Sequence, residues 1–196
     1  NFDKNQYTDN IITWFDFISK DENIKLEFDP LPFMHPLFIM FSSGTTGKPK
    51  SIVHSAGGTL IQHIKEHRLH TNLCRDDVIF YFTTCGWMMW NWLASSLAIG
   101  ATIILYDGSP FYPNGTVLLK MAKKLDMTVF GTSAKYISAL EMENIVPKNI
   151  SAFSALRCIL STGSPLLEGN YDYIYNKWKK DVQLCSISGG TDIISC

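Results

Sequence analysis

Apolar and polar positions alternate along this chain in two patterns. Short apolar runs at 37–42, 51–54, 77–82, 101–106, 127–131, 156–161 and 182–187 predict strands. Between them, apolar residues recur at helical spacing over 56–69, 87–98, 114–125, 133–142 and 166–179. Strand-helix alternation of this kind predicts an α/β fold, with largely parallel sheets flanked by helices. Residues 1–36 read differently, as a helical segment followed by a Pro-containing connector. Thr8 or Asp9 is the expected cap of a helix carrying Ile11, Trp14, Phe15 and Ile18, and Pro30, Pro32 and Pro36 forbid regular helix after it. The expected organisation is therefore 1–36 as a lead-in and 37–196 as one domain.

Composition sharpens this picture. Of the 196 residues, 46% are hydrophobic and only 18% charged, against roughly 25% charged in an ordinary domain. That skew is expected of a slice taken from the interior of something larger. A net charge of −1 gives no electrostatic reason to expect nucleic acid or an anionic membrane as partner. No apolar run reaches the roughly 18 residues of a membrane span, because Gly86, Asn91 and Gly100 interrupt the richest stretch. Cys74, Cys85, Cys158, Cys185 and Cys196 are widely spaced and predict reduced, mostly buried thiols in the cytosol rather than a disulfide framework or zinc ribbon. Oligomeric state is left open by the sequence.

Chemistry concentrates in the loop Ser42-Ser43-Gly44-Thr45-Thr46-Gly47-Lys48-Pro49-Lys50, directly after the first strand. Glycines let backbone N–H groups approach an anion, hydroxyls donate further hydrogen bonds, and Lys48 and Lys50 supply charge. A Walker A loop needs four residues between its glycines and a Ser or Thr after its lysine. Here only Thr45 and Thr46 separate Gly44 from Gly47, and Pro49 follows Lys48. A P-loop NTPase is disfavoured, and a solvated flexible loop is the competing bland reading.

The stretch Ser43–Lys50 resembles, residue for residue, the phosphate-binding signature of the adenylate-forming (acyl-CoA synthetase, AMP-binding) superfamily. Further along, Gly86-Trp87 is similar to the acyl-pocket segment of the branch acting on acetate and acetoacetate. Gly163-Ser164-Pro165 resembles the adenine-side turn, and Ser188-Gly189-Gly190-Thr191-Asp192 the motif usually written Tyr-Gly-x-Thr-Glu. The wording of 81–92 and of 189–193 looks most like the acetoacetate-activating members. The resemblance implies ATP held by Ser43, Gly44, Thr45, Thr46, Gly47, Lys48, Lys50, Gly163, Ser164, Pro165, Ser188, Gly189, Gly190 and Thr191, with Thr46, Lys50 and Thr191 closest to the chemistry. It implies Mg2+ on Asp192, coenzyme A as co-substrate, and a short acyl pocket at Gly86, Trp87 and His54. No residue matches the family's catalytic lysine, so the expectation is an incomplete adenylation domain, inactive by itself, from a cytosolic ligase.

Each site has a plainer reading beside it. Ser164 with Pro165 suits the start of a helix, and Asp192 could cap a helix after a glycine turn. His54 could be a hydrogen-bonded structural histidine, and the Trp87-Met88-Met89-Trp90 cluster could be core. Two other function classes remain. One is another short-chain synthetase, or a nucleotide-binding module without catalysis. The other is a zinc hydrolase, because His63-Ile64-Lys65-Glu66-His67 matches the His-x-x-Glu-His pattern with both histidines on one helix face. Otherwise His67, Arg68 and His70 suit a solvated helix face.

Overall fold

The computed structural model describes residues 12–18, 20, 23–42 and 47–195, and the chain divides into two units, Asn1–Leu31 and Pro32–Cys196. In the first unit a single helical turn, α1 (Trp14–Phe17), is capped by Thr13, whose hydroxyl accepts from the Asp16 N–H at 3.2 Å. Ile18, expected inside this helix, instead ends it with extended backbone (ψ 136). One turn fixes several dihedrals for very few hydrogen bonds, so it does not propagate unaided. The expected caps Thr8 and Asp9 lie outside the described residues.

The second unit opens with a hairpin of β1 (Pro36–Ser42) and β2 (Lys50–Ser55), paired antiparallel with Met40 opposite Ile52 and Ser42 opposite Lys50. Pleating puts Phe38, Met40, Ile52 and His54 on the half-buried face and leaves Ile39, Phe41 and Val53 outside. The alternation of strands and helices gave no hint of this antiparallel pair, which is joined by the phosphate-type loop alone. Helix α2 (Ala56–Lys65) follows directly and ends in a wider π turn over Glu66–His70.

The remaining strands form the expected parallel sheet. β3 (Val78–Tyr81), β4 (Thr102–Ile104), β5 (Val129–Ser133), β6 (Cys158–Thr162) and β7 (Gln183–Ser186) run in the order β4-β3-β5-β6-β7. Helices α3 (Met88–Ser95), α4 (Val117–Lys124), α5 (Ala134–Met142) and α6 (Glu168–Tyr173) make the connections. Alternate strand residues face opposite layers. Phe80, Phe130 and Ile159 pack with Leu119, Ile137, Leu140 and Trp178, while Ile79, Val129 and Leu160 pack with Leu73, Trp92 and Leu93. Both faces are thus covered, as a parallel sheet requires.

The amino ends of three strands are stapled together. Asp77, 4% exposed, accepts from Arg157 Nε at 3.0 Å, Arg157 Nη2 at 2.8 Å, the Thr128 hydroxyl at 2.6 Å and the Cys74 N–H at 2.8 Å. Burial pushes the Asp77 carboxyl upward, but the hydrogen bonds from Arg157 and Thr128 outweigh it and bring it down to about 2.

Candidate active site

From β3 the chain crosses to the edge strand β4, then returns past β3 to β5 and runs outward to β7. That reversal leaves a crevice outside the carboxyl ends of β3 and β5, where ligands bind in open α/β sheets. A cleft of about 350 Å3 lies there, walled by Tyr81, Phe82, Trp87, Met88 and Met89 and edged by Thr132, Ser133, Lys135 and Gly163. Trp87 caps α3 and is 58% exposed, so its indole stands at the cleft rather than in the core. Met89 and Trp92, by contrast, are core residues.

Two more clefts adjoin at Met88 and Thr191. One, of about 570 Å3, lies between the inner hairpin strand (Phe38–Phe41) and Gly86-Trp87. The other, of about 500 Å3, runs between Gly163-Ser164-Pro165 and the segment from Ser186 to Thr191. The structure therefore brings together Gly86, Trp87, the Gly163-Ser164-Pro165 turn and the Ser188–Thr191 motif, although Gly86 and Ser188 are 102 residues apart in the chain. Gly163 has φ +88, a left-handed conformation that glycine adopts without strain. Thr162 helps shape the turn by donating to the Ile187 carbonyl at 2.9 Å.

The hairpin is tied to this arrangement twice. His54 Nε2 donates to the Thr191 carbonyl at 2.8 Å, and Asn91 Nδ2 approaches Met40 Sδ at 3.3 Å. His54 is thus half-buried and hydrogen-bonded to the Thr191 backbone. Gly47, Lys48 and Lys50 are exposed at the mouth of the hairpin. Ser43, Gly44, Thr45 and Thr46 lie outside the described residues. Asp192 is exposed, next to Thr191.

Several sequence expectations are corrected by the geometry. Helix α6 starts at Glu168, so Ser164 and Pro165 form a turn and not the helix start. Asp192 caps no helix; it sits in a turn closed by the Gly190 N–H donating to the Ser195 carbonyl at 3.0 Å. Cys74 and Cys85 are exposed, where mostly buried thiols were expected, and Cys158 is buried. The zinc reading finds no ligand set among the described residues. His63 Nε2 donates to the Ile194 carbonyl at 2.6 Å, and His67 Nε2 to the Trp92 carbonyl at 3.0 Å. Glu66 accepts from the Trp92 indole at 2.9 Å and from the Ser195 hydroxyl. Among the described residues no group of three His, Cys, Asp or Glu side chains is placed to hold a metal ion. His67 is fully buried rather than solvated, and burial, helped by neighbouring His63, pushes its imidazole down to about 4.

Two residues escaped the sequence reading, one lining the crevice and one on β5. Lys135 is the one charged side chain lining it among the described residues. Its only signal was its place, early in a helix after a strand. Gly131 is needed because a Cβ there would fall 2.1 Å from the Tyr81 ring.

A family model described as AMP-binding enzyme matches residues 8–185. The chain is 58% identical over 185 residues to the acetoacetyl-coenzyme A synthetase of Rhizobium meliloti (strain 1021), an alignment covering 94% of this chain and 28% of that protein. It is 46% identical to a malonamoyl-CoA synthetase of Penicillium aethiopicum, again covering 94% and 28%. The solved structure of an acetoacetyl-CoA synthetase from Streptomyces lividans matches with a TM-score of 0.83 at 41% identity, over 89% of this chain and 28% of that one. The chain thus spans little more than a quarter of the length of these relatives.

Proposed function

Because this chain belongs to the AMP-binding enzyme family, we propose that it supplies the phosphate-binding and acyl-binding part of an AMP-forming acid–thiol ligase, and that the ligase joins acetoacetate to coenzyme A. The observation that carries this reading is Thr191. It lines the clefts on both sides, one toward the hairpin and Trp87 and the other toward the Gly163 turn, and its carbonyl is held by His54 from the strand that ends the phosphate-type loop. A nucleotide with its base along the Gly163 turn would present its α-phosphate at Thr191 and its outer phosphates toward the loop.

In the first step the acetoacetate carboxylate attacks the α-phosphorus, forming acetoacetyl-adenylate and releasing pyrophosphate. The coenzyme A thiol then attacks the activated carbonyl and AMP leaves. Thr191 donates to the α-phosphate, and Thr45, Thr46, Gly47, Lys48 and Lys50 hold the leaving pyrophosphate, with Ser43 and Gly44 shaping the loop. The exposed Asp192 carboxylate is the group that would hold a magnesium ion, which would supply positive charge to offset that on the leaving group. No protein nucleophile is required.

Acyl choice follows from the crevice at β3 and β5. Trp87 limits chain length, and the Lys135 ammonium suits the 3-oxo oxygen of a short acid. The names of the relatives fit this frame, since acetoacetyl and malonamoyl groups both carry a carbonyl at the third carbon and differ only in methyl against amide nitrogen. A cytosolic setting is supported by free Cys74, Cys85, Cys158 and Cys185. No helix among the described residues is long and apolar enough to cross a membrane.

The decisive measurement is ATP–pyrophosphate exchange by the full-length protein with different acids. Acetoacetate should drive it best, with malonamate weaker. Malonamate in the lead would reassign the acyl group, and exchange driven by a long fatty acid or an amino acid would sink the specificity altogether. Lys50→Ala should lower kcat/KM for ATP about 10–100-fold, the worth of a hydrogen bond to a charged group; unchanged kinetics would take the lysine out of the mechanism.

A further inference from the structure

The His-x-x-Glu-His stretch has no third metal-ligating side chain beside it among the described residues, yet it buries three polar side chains. His63 and His67 are 0% exposed and Glu66 2%, while Leu60, Ile61 and Leu69 around them face solvent. A helix that needed only packing would place those apolar residues inward. His63 and Glu66 point instead at the carboxyl-edge segment that carries Thr191 and Asp192, while His67 turns to the Trp92 carbonyl of α3.

That segment needs holding. Ile194 is a β-branched residue with φ +50, a left-handed conformation that side chains of its kind avoid, and it is buried. Its carbonyl accepts from His63 Nε2 at 2.6 Å. Ser195 donates to Glu66, and its oxygen also accepts from Gln62 Nε2 at 2.8 Å. The second Glu66 oxygen is anchored by the Trp92 indole of α3 at 2.9 Å. At the other end of the turn, the Thr191 carbonyl takes the His54 N–H. All these ties, Trp92 aside, come from β2, α2 and the π turn that ends it, which continue without a break from the phosphate-type loop.

We propose that His63 and Glu66 are positioning residues, clamping the Thr191–Asp192 turn to the β2–α2 unit so that the two phosphate-contacting segments keep a fixed spacing. The proposal rests on the ligase reading above. Neither residue reaches the nucleotide; each acts through the turn it holds. Loosening the clamp should therefore weaken use of magnesium-bound ATP and spare the acyl pocket, which is built on β3, α3 and β5.

The test uses the full-length protein with His63→Leu, His63→Gln and Ser195→Ala. Glutamine keeps an N–H near the Nε2 position, and leucine does not. His63→Leu should raise the KM for MgATP and the Mg2+ concentration for half-maximal exchange about tenfold, as expected of a displaced positioning element, with the acetoacetate KM unchanged. His63→Gln should restore both values, and Ser195→Ala should shift them in the same direction by less. A parallel rise in both KM values tracking a lowered thermal midpoint, or no change in either, overturns the clamp. Should His63→Leu fail to fold, the MgATP-against-acetoacetate split in Ser195→Ala decides. Calorimetric MgATP affinity of wild type and variants reads the clamp whatever acid is activated, so a wild type without acetoacetate-dependent exchange would refute the ligase reading separately.

Discussion

Lys135 stands among apolar walls at the crevice, flanked by Thr132 and Ser133. Its side chain is exposed, so the ammonium is available to an acceptor on a ligand in the cleft. Lys135→Met keeps the stem and removes the donor, so it should raise the acetoacetate KM about 10–100-fold while the ATP KM stays put. Steady-state kinetics with each substrate varied in turn checks this, and equal changes in both would assign Lys135 a structural part. Other residues of the site were legible because their chemistry is local. Gly163 needs its left-handed φ whatever surrounds it, and Gly86-Trp87 and Thr191 stand in short motifs. Gly131 was not legible, since its necessity arises only when the Tyr81 ring on the neighbouring strand is known to lie against it. The burial of His67, expected on a polar helix face, was missed for a similar reason. Its acceptor, the Trp92 carbonyl, is 25 residues away in the chain.

At the level of elements, hydrophobic periodicity located the strands and α-helices described in the second unit to within a few residues, because each core-facing side repeats every second or every third to fourth position. Periodicity says nothing of partner direction, so the antiparallel pairing of β1 with β2 stayed hidden. Nor does it reveal how a helix ends. The stretches expected as helix over 56–69 and 166–179 both finish in π turns, Glu66–His70 and Ile174–Trp178. The first of these places His67 under Trp92, ring centroids 4.3 Å apart. Burial there lowers the imidazole from 6.5 to about 4, which makes stability depend on pH with a definite sign. Between those values an unfolded chain binds the proton and the folded one refuses it, so stability is complete above 6.5 and falls as pH drops toward 4. The window is worth at most about 3 kcal/mol, and buried His63, also shifted downward, adds to it. His67→Gln keeps a donor toward the Trp92 carbonyl without a titrating group. Its thermal midpoint should fall less steeply than wild type from pH 6.5 to 4, and an identical slope would mean that His67 does not carry the effect.

Across the whole second unit, the parallel sheet separates two tasks along one axis. All five strands point their carboxyl ends at the same edge, so the loops after β3, β5, β6 and β7 converge there and form the three adjoining clefts. The amino edge carries the Asp77–Arg157 staple with Thr128, which joins the starts of β3, β5 and β6. Such polarity makes stability and substrate handling separable by mutation. Arg157→Leu removes the two hydrogen bonds to Asp77 and those to the Thr71 and Asn72 carbonyls, and leaves the buried Asp77 carboxylate with only Thr128 and the Cys74 N–H. Arg157 is partly exposed, with a side-chain accessibility of 34%, so water can replace some of what is lost. A cost of about 1–3 kcal/mol is therefore expected, in place of the larger penalty for a fully buried pair. The thermal midpoint should drop by several degrees while the KM values for ATP and acetoacetate hold, the reverse of Lys135→Met. A change in either KM comparable to that of Lys135→Met would show that strain at the amino edge travels along β3, β5 or β6 to the crevice, and the two edges would then have to be treated as one coupled element.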